Sequence, residues 1–139
     1  MNQNREIKFR VWDIEKKCFK NIKGIGFLID VGRFFMGCRK MEWFKAFYIP
    51  QQFTGLKDEN GKDIYEGDIV KTCALPMHTW EVKFGEHRCI METKQYYDSF
   101  GFYFSGLKPY CYGYNRTLVE LKVEIIGNIF ENPELVENK

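Results

Sequence analysis

Two turns flanking an apolar pair constrain this chain more than any other feature. Residues 53–71 read Phe-Thr-Gly-Leu-Lys-Asp-Glu-Asn-Gly-Lys-Asp-Ile-Tyr-Glu-Gly-Asp-Ile-Val-Lys. Asp58-Glu59-Asn60-Gly61 reads as a tight turn, because Asn60 and Gly61 tolerate positive φ. Glu66-Gly67-Asp68 is a second turn, and it feeds a strand at Ile69-Val70-Lys71. Ile64 and Tyr65 are pinned between the two. Short strands separated by glycine turns point to a β-rich fold, in which this stretch sets the register of a small barrel.

The flanks carry the same signal. Arg5 to Asp13 alternates, with Ile7, Phe9 and Val11 on one face and Glu6, Lys8 and Arg10 on the other. Trp12 breaks the pattern and covers a core edge. Asp13 to Lys17 is a polar turn, and Cys18 to Ile22 returns as the second strand of a hairpin. Phe27 to Val31 is a short apolar run, Gly32 to Lys40 a loop, and Met41 to Ile49 an aromatic strand that Pro50 ends. Downstream, Trp80, Val82 and Phe84 share one face of a strand, and Gly85-Glu86 turns the chain. His87 to Thr93 then returns, and Phe100 to Phe104 is a further strand. Gly106 to Asn115 is a loop. Val123 to Phe130 closes the fold, with Gly127 marking a bulge. Pro133 opens one helical turn.

The expected fold is therefore mainly β, with a β-rich α+β arrangement as the alternative. It is a small antiparallel barrel-like domain, SH3-like in part, with an N-terminal hairpin region. The 139 residues suffice for one domain over 1–139, or for an N-terminal lobe (1–50) packed on a C-terminal barrel (51–135).

Charge and cysteine content narrow the function. A net charge of +2 leaves no overall electrostatic footprint for nucleic acid. Five cysteines without regular spacing, and an N-terminus without an apolar leader, predict reduced thiols in a cytoplasm. The apolar runs are too short to span a bilayer, so no membrane association is expected.

Sites of chemistry are scarce. Glu66 and Asp68, two apart, could do acid–base work, but Gly67 between them favours turn chemistry. Cys73, His78, His87 and Cys89 would converge only if a hairpin folds at Gly85, and their spacing fits no zinc motif, so no metal or other cofactor is expected. Cys89 and His87 lie on one strand face, which is necessary but far from sufficient for a nucleophile–base pair. Ser99 and Ser105 are the only serines, and neither lies in a nucleophile elbow. The chain is expected not to be an enzyme. The densest feature is the aromatic segment from Tyr96 to Arg116. There Tyr97, Phe102, Tyr110, Tyr112, Tyr114 and Arg116 could stack and hold single-stranded nucleic acid. With aromatics at 17% of the chain, the favoured reading is a core and a protein–protein surface.

Three separated stretches carry a family likeness. Arg5 to Asp13, Phe53 to Val70 and Glu124 to Leu135, in that order, resemble proteins of the YopX family of phages and prophages. Within the central stretch the matching positions are Gly55, Asp58, Gly61, Tyr65, Gly67 and Asp68. The resemblance implies a β-rich fold with a barrel-like part, a bacteriophage or prophage origin and hence a bacterial host cytoplasm. The family is one of unknown function, so no catalytic residue carries over. The expectation is a protein that acts through contacts, as a homo-oligomer or with an unidentified phage or host protein. A nucleic-acid-binding module is the alternative.

Overall fold

The computed structural model describes residues 6–21, 48–73, 78–90, 96–107, 115–117 and 122–137. Nine strands and one helical turn run along them in two sheets. The first sheet has the order β2-β1-β3-β4. Its β1 (Phe9–Asp13) and β2 (Cys18–Asn21) form the expected N-terminal hairpin. Asp13 organises the turn: its carboxylate accepts the Lys16 N–H at 2.9 Å and the Lys20 ammonium at 2.6 Å. Lys17 takes a positive φ of 49° to complete it.

β3 (Tyr48–Lys57) pairs antiparallel with β1 and then with β4 (Asp63–Tyr65). Pro50 lies inside this strand, opposite Val11, and does not end it. Phe53 donates its N–H to Lys8 on the β1 side, while the Gln52 carbonyl accepts from Glu66 on the other. By alternation the Pro50 nitrogen faces away from β1, where no ladder bond is needed.

The second sheet has the order β7 (Tyr96–Gly106), β8 (Asn115–Thr117), β6 (Thr79–Ile90), β5 (Asp68–Thr72), β9 (Val123–Asn128), with β6 also paired to β7. β5 (Asp68–Thr72) lies between β6 (Thr79–Ile90) and β9 (Val123–Asn128). Ile69 pairs with Gly127 but Val70 with Ile125, so Ile126 is the extra residue of the bulge that Gly127 announced. After β9 the described residues close with α1 (Glu134–Glu137), just after Pro133.

Ile64, Val70, Trp80, Val82, Phe104 and Val123 form the buried core, with Ile125 packed on it. Ile64 comes from the first sheet and the rest from the second, so both sheets share this core. Each such side chain contributes roughly 1.5–3 kcal/mol on burial. Trp12 is buried as expected, stacked on Phe130 at 5.6 Å and edge-on to Phe19 at 4.9 Å. The fold is thus mainly β and antiparallel, with one curled, half-barrel-like sheet.

Several local expectations need correction. The chain does not turn at Gly85-Glu86, and His87 does not start a return strand: β6 runs unbroken through both, and its antiparallel partner is β7 (Tyr96–Gly106). A glycine bends a strand without ending it when its partner strand bends at the same rung. Phe84 shares the face of Trp80 and Val82, but unlike them it is 43% exposed. In the first hairpin Ile7 is 56% exposed, while Arg10, assigned to the solvent face, is largely buried. Asn60 keeps a negative φ, and Gly61 alone makes the left-handed step at +78°. The short strand β8 (Asn115–Thr117) begins at Asn115, the last residue of the expected loop. The readings of residues 27–31 and 32–40, of the strand at 41–49 up to residue 47, of Pro76, and of Tyr110, Tyr112 and Tyr114 lie outside the described residues.

Candidate functional site

The longest exposed feature is the β6–β7 hairpin, and its shape follows from two glycines. Gly85 and Gly101 face each other in the ladder, with φ of +146° and +151°. L side chains rarely adopt such angles, so the glycine pair lets both strands fold sharply at this rung. The consequence appears on one face. His87 stacks on Tyr103, with ring centroids 4.4 Å apart and planes within 17°. In the ladder Tyr103 is opposite Lys83, four residues from His87. A flat hairpin would hold the two about 13 Å apart. The hairpin is therefore folded over this face. β8 bridges the fold: Asn115 pairs both with Cys89 of β6 and with Ser105 of β7.

The other face is convex, and its character changes along its length. Trp80, Val82 and Phe104 are buried before the glycine pair. Past them the same face carries Phe84, Phe102 and Phe100. Phe84 contacts Phe102 at 4.8 Å and Phe100 at 5.2 Å. Phe100 is 68% exposed. Around these rings lie Glu86 and the Arg88–Asp98 pair, bonded at 2.8 Å. The Arg88 partner holds the Asp98 carboxyl below its usual range. The pair is exposed and contributes little stability. Glu86, Arg88, Asp98 and Phe100 also line an open depression.

Of the sequence-predicted binding residues, Tyr97 and Phe102 fall on opposite faces here. Phe102 packs in the cluster and Tyr97 is half-buried on the opposite face. Arg116 is placed on β8 opposite Phe104. Phe84, which the alternation places on one face with Trp80 and Val82, touches both other rings of the cluster. The paired glycines, sixteen positions apart on facing strands, were its only signal.

The central motif plays a different part. Asp68 is buried, and its carboxylate accepts from the Arg10 guanidinium, from Asn128 Nδ2 at 3.1 Å and from the Tyr65 N–H at 2.8 Å. Gln51 Oε1 accepts from Arg10 Nε and Nη2 at 2.9 and 2.8 Å and from Asn128 Nδ2 at 3.1 Å. The Arg10 guanidinium lies between the rings of Phe19 and Tyr65, 4.1 and 4.5 Å from their centroids. Strands β1, β3, β5 and β9 meet in this junction, so it ties one sheet to the other. Asp68 thus does bond the backbone of its own turn, and also much more. Glu66 takes no part in these bonds. Burial pushes its carboxyl up, opposed by the Gln52 backbone and reinforced by Glu81.

Asp58 makes the second tie. Its carboxylate accepts the N–H groups of Asn60 at 2.9 Å, Lys62 at 2.8 Å and Ile125, on β9, at 3.2 Å. Beside it the Glu59 N–H reaches the Val123 carbonyl at 3.0 Å. The turn therefore caps the outer edge of β9. Gly55, at φ +89°, sits in the irregular stretch of β3 just before this turn. Burial pushes the Asp58 carboxyl up, but these backbone donors outweigh it and hold it below the ordinary aspartate value of 3.8. Asp13, bonded to Lys20, and Asp63, bonded to Lys57 and Lys8, are held low as well.

A depressed carboxyl contributes stability that is complete above its unfolded pKa and is lost as pH falls through its folded pKa. Unfolding midpoints in urea should hold between pH 7 and 5 and drop below pH 4. Asp58→Asn should flatten that acid limb, and an unchanged limb would remove Asp58 from the account.

His78, just before β6, sits edge-on to Trp80 at 5.8 Å, while His87 stacks on Tyr103. Cys73 is a free, exposed thiol. Among the described residues no three His, Cys, Asp or Glu are grouped to hold a metal ion. No helix among them is long and apolar enough to cross a membrane.

The described residues define a small two-sheet β protein, tied by buried polar junctions, with an exposed aromatic face on a folded hairpin. The chain belongs to the YopX family: the family described as YopX protein matches residues 8–137. Among solved structures it is similar to protein EF1440 from Enterococcus faecalis, a crystal structure, with a TM-score of 0.49 and 24% identity. That likeness covers 95% of this chain and 99% of the other. No curated protein matches.

Proposed function

We propose that this YopX-family chain is a phage- or prophage-encoded protein that works in the host cytoplasm through protein contacts rather than by catalysis. Its contact surface is the convex aromatic face of β6–β7, and its first partner is a second copy of itself. One observation carries this reading: Phe84, Phe100 and Phe102 form a contiguous ring cluster at the surface, with Phe100 68% exposed. An apolar cluster with a polar rim is the composition of an interaction site. The rim carries both signs side by side, Glu86 and Asp98 with Arg88, so a second copy meets no large patch of like charge there. The same rim disfavours single-stranded nucleic acid, because the cation beside the rings is already engaged by a carboxylate.

Light scattering on the full chain tests it. The wild type is expected to run as a dimer, and Phe84→Ser/Phe100→Ser as a monomer with an unchanged far-UV spectrum. A monomeric wild type defeats the proposal. Single-stranded DNA or RNA binding at low salt, lost in the same variant, would install the nucleic-acid reading in its place.

A further inference from the structure

We propose that Phe100 of one copy seats against Arg88 of the other, and that Asp98 is the residue that holds Arg88 in position for it. The inference rests on the contact surface proposed above and names the contact that makes it specific. Phe100 and Arg88 lie on neighbouring rungs of the convex face, where Glu86 pairs with Phe100 and Arg88 with Asp98. Phe84 meets Phe100 edge-on at 5.2 Å and leaves it 68% exposed. Beside this ring lies the open depression lined by Glu86, His87, Arg88, Asp98, Ser99 and Phe100 itself. One surface thus carries both an exposed ring and a hollow next to it.

The chemistry of the hollow suits a ring. Arg88 Nε donates to Asp98 Oδ1 at 2.8 Å, and Nη2 to Oδ2 at 3.4 Å. These bonds take up one edge of the planar guanidinium and fix its orientation. Its flat face stays open, for the Arg88 side chain is 66% exposed. An aromatic ring stacks on such a face, and the stack keeps the hydrogen bonds that the guanidinium already makes. An anionic partner gains little there, because Asp98 already neutralises Arg88 and Glu86 adds a second acid.

A second copy supplies the ring. In a twofold pair the same patch meets itself, so a ring offered by one copy reaches the hollow of the other, and the contact forms twice. Phe100 is more exposed than Phe84, at 68% against 43%, and gains more from being covered. An aromatic side chain seated on an arginine is also the residue pairing in which interface energy concentrates.

Sedimentation equilibrium on the full chain reads the seat. Arg88→Lys keeps the charge but loses the plane, and should weaken the dimer about tenfold. Asp98→Ala frees the guanidinium and should do the same. Phe100→Leu stays apolar and should weaken the dimer at least as much, while Phe100→Trp should not weaken it. All three positions are exposed, so the far-UV spectrum should not change. Mixing separates a contact between copies from a general loss of the patch. Phe100→Leu mixed with Arg88→Lys, or with Asp98→Ala, gives a pair that keeps one intact seat, whereas neither homodimer keeps any. The mixed pair should therefore form in preference to both homodimers. Random mixing, or an Arg88→Lys dimer as tight as the wild type, overturns the seat. A monomeric wild type, or a dimer that Phe84→Ser/Phe100→Ser leaves intact, defeats the contact surface and the seat with it. A dimer broken by that double variant but indifferent to Arg88→Lys defeats the seat alone.

Discussion

Asp68→Ala is expected to be the most damaging single substitution in the chain, at about 3–5 kcal/mol of stability. The size follows from what is left behind. The Arg10 guanidinium stays in place between Phe19 and Tyr65, with only about a tenth of its side chain exposed, and loses its counter-charge. The Tyr65 N–H loses its side-chain acceptor, and Asn128 Nδ2 keeps Gln51 alone. A loss of that size is a large share of the 5–15 kcal/mol that separates a folded domain from its unfolded chain. Asp68→Asn should be milder, since the amide oxygen can still accept from Arg10, though without the charge. The double variant Arg10→Leu/Asp68→Leu should recover part of the loss, because removing both partners leaves no stranded charge. Urea unfolding followed by circular dichroism measures all three. A folded Asp68→Ala protein that has lost only a binding activity would make Asp68 a functional residue and reject the structural account.

Gly67→Ala should follow it closely, and Gly61→Ala provides the control. Both glycines have nearly the same backbone, φ +77° and +78°. That shared left-handed angle costs an alanine about 1–2 kcal/mol. They differ in what a methyl group would meet. At Gly61 there is nothing within 4 Å. At Gly67 the new Cβ would fall against Gln51 Nε2, closer than any non-bonded contact allows, and within 3.2 Å of Ile129. Gln51 cannot simply turn away, because its Oε1 is held by Arg10 and Asn128. The methyl group therefore strikes the same junction that Asp68 anchors. Gly61→Ala is expected to lose about 1–2 kcal/mol and Gly67→Ala at least twice that. Equal losses would show that the left-handed angle alone matters, and that the junction yields freely.

Much of the fold was legible because it rests on local rules. The Asp13–Lys17 turn, the Gly61 and Gly67 turns, the Ile69–Thr72 strand and the bulge before Gly127 are each encoded within a few residues. Backbone sterics and side-chain-to-backbone bonds act over that range. What failed was read through the wrong neighbourhood. Gly85 followed by Glu86 looks like a turn in one strand, but the facing Gly101 makes it a bend shared by two. Arg10 looks like a solvent residue in an alternating strand, but an acidic partner fifty-eight positions away brings it inside.

The sequence by itself determined the β class, the turns at Asp13–Lys17, Asp58–Gly61 and Glu66–Asp68, the family and the importance of the 53–71 stretch, because hydrophobic alternation and glycine conformations act locally. It also pointed to the downstream aromatics as the surface to watch. Only the tertiary structure decided the rest. It turned Asp58 and Asp68 from turn residues into ties between elements, since each carboxylate spends its remaining lone pairs on a strand far away in the chain. It brought Phe84 against Phe100 and Phe102 of the aromatic segment on one convex face. Whether a ring on a strand is core or surface depends on where its partner strand bends, and that is settled by pairing across the sheet.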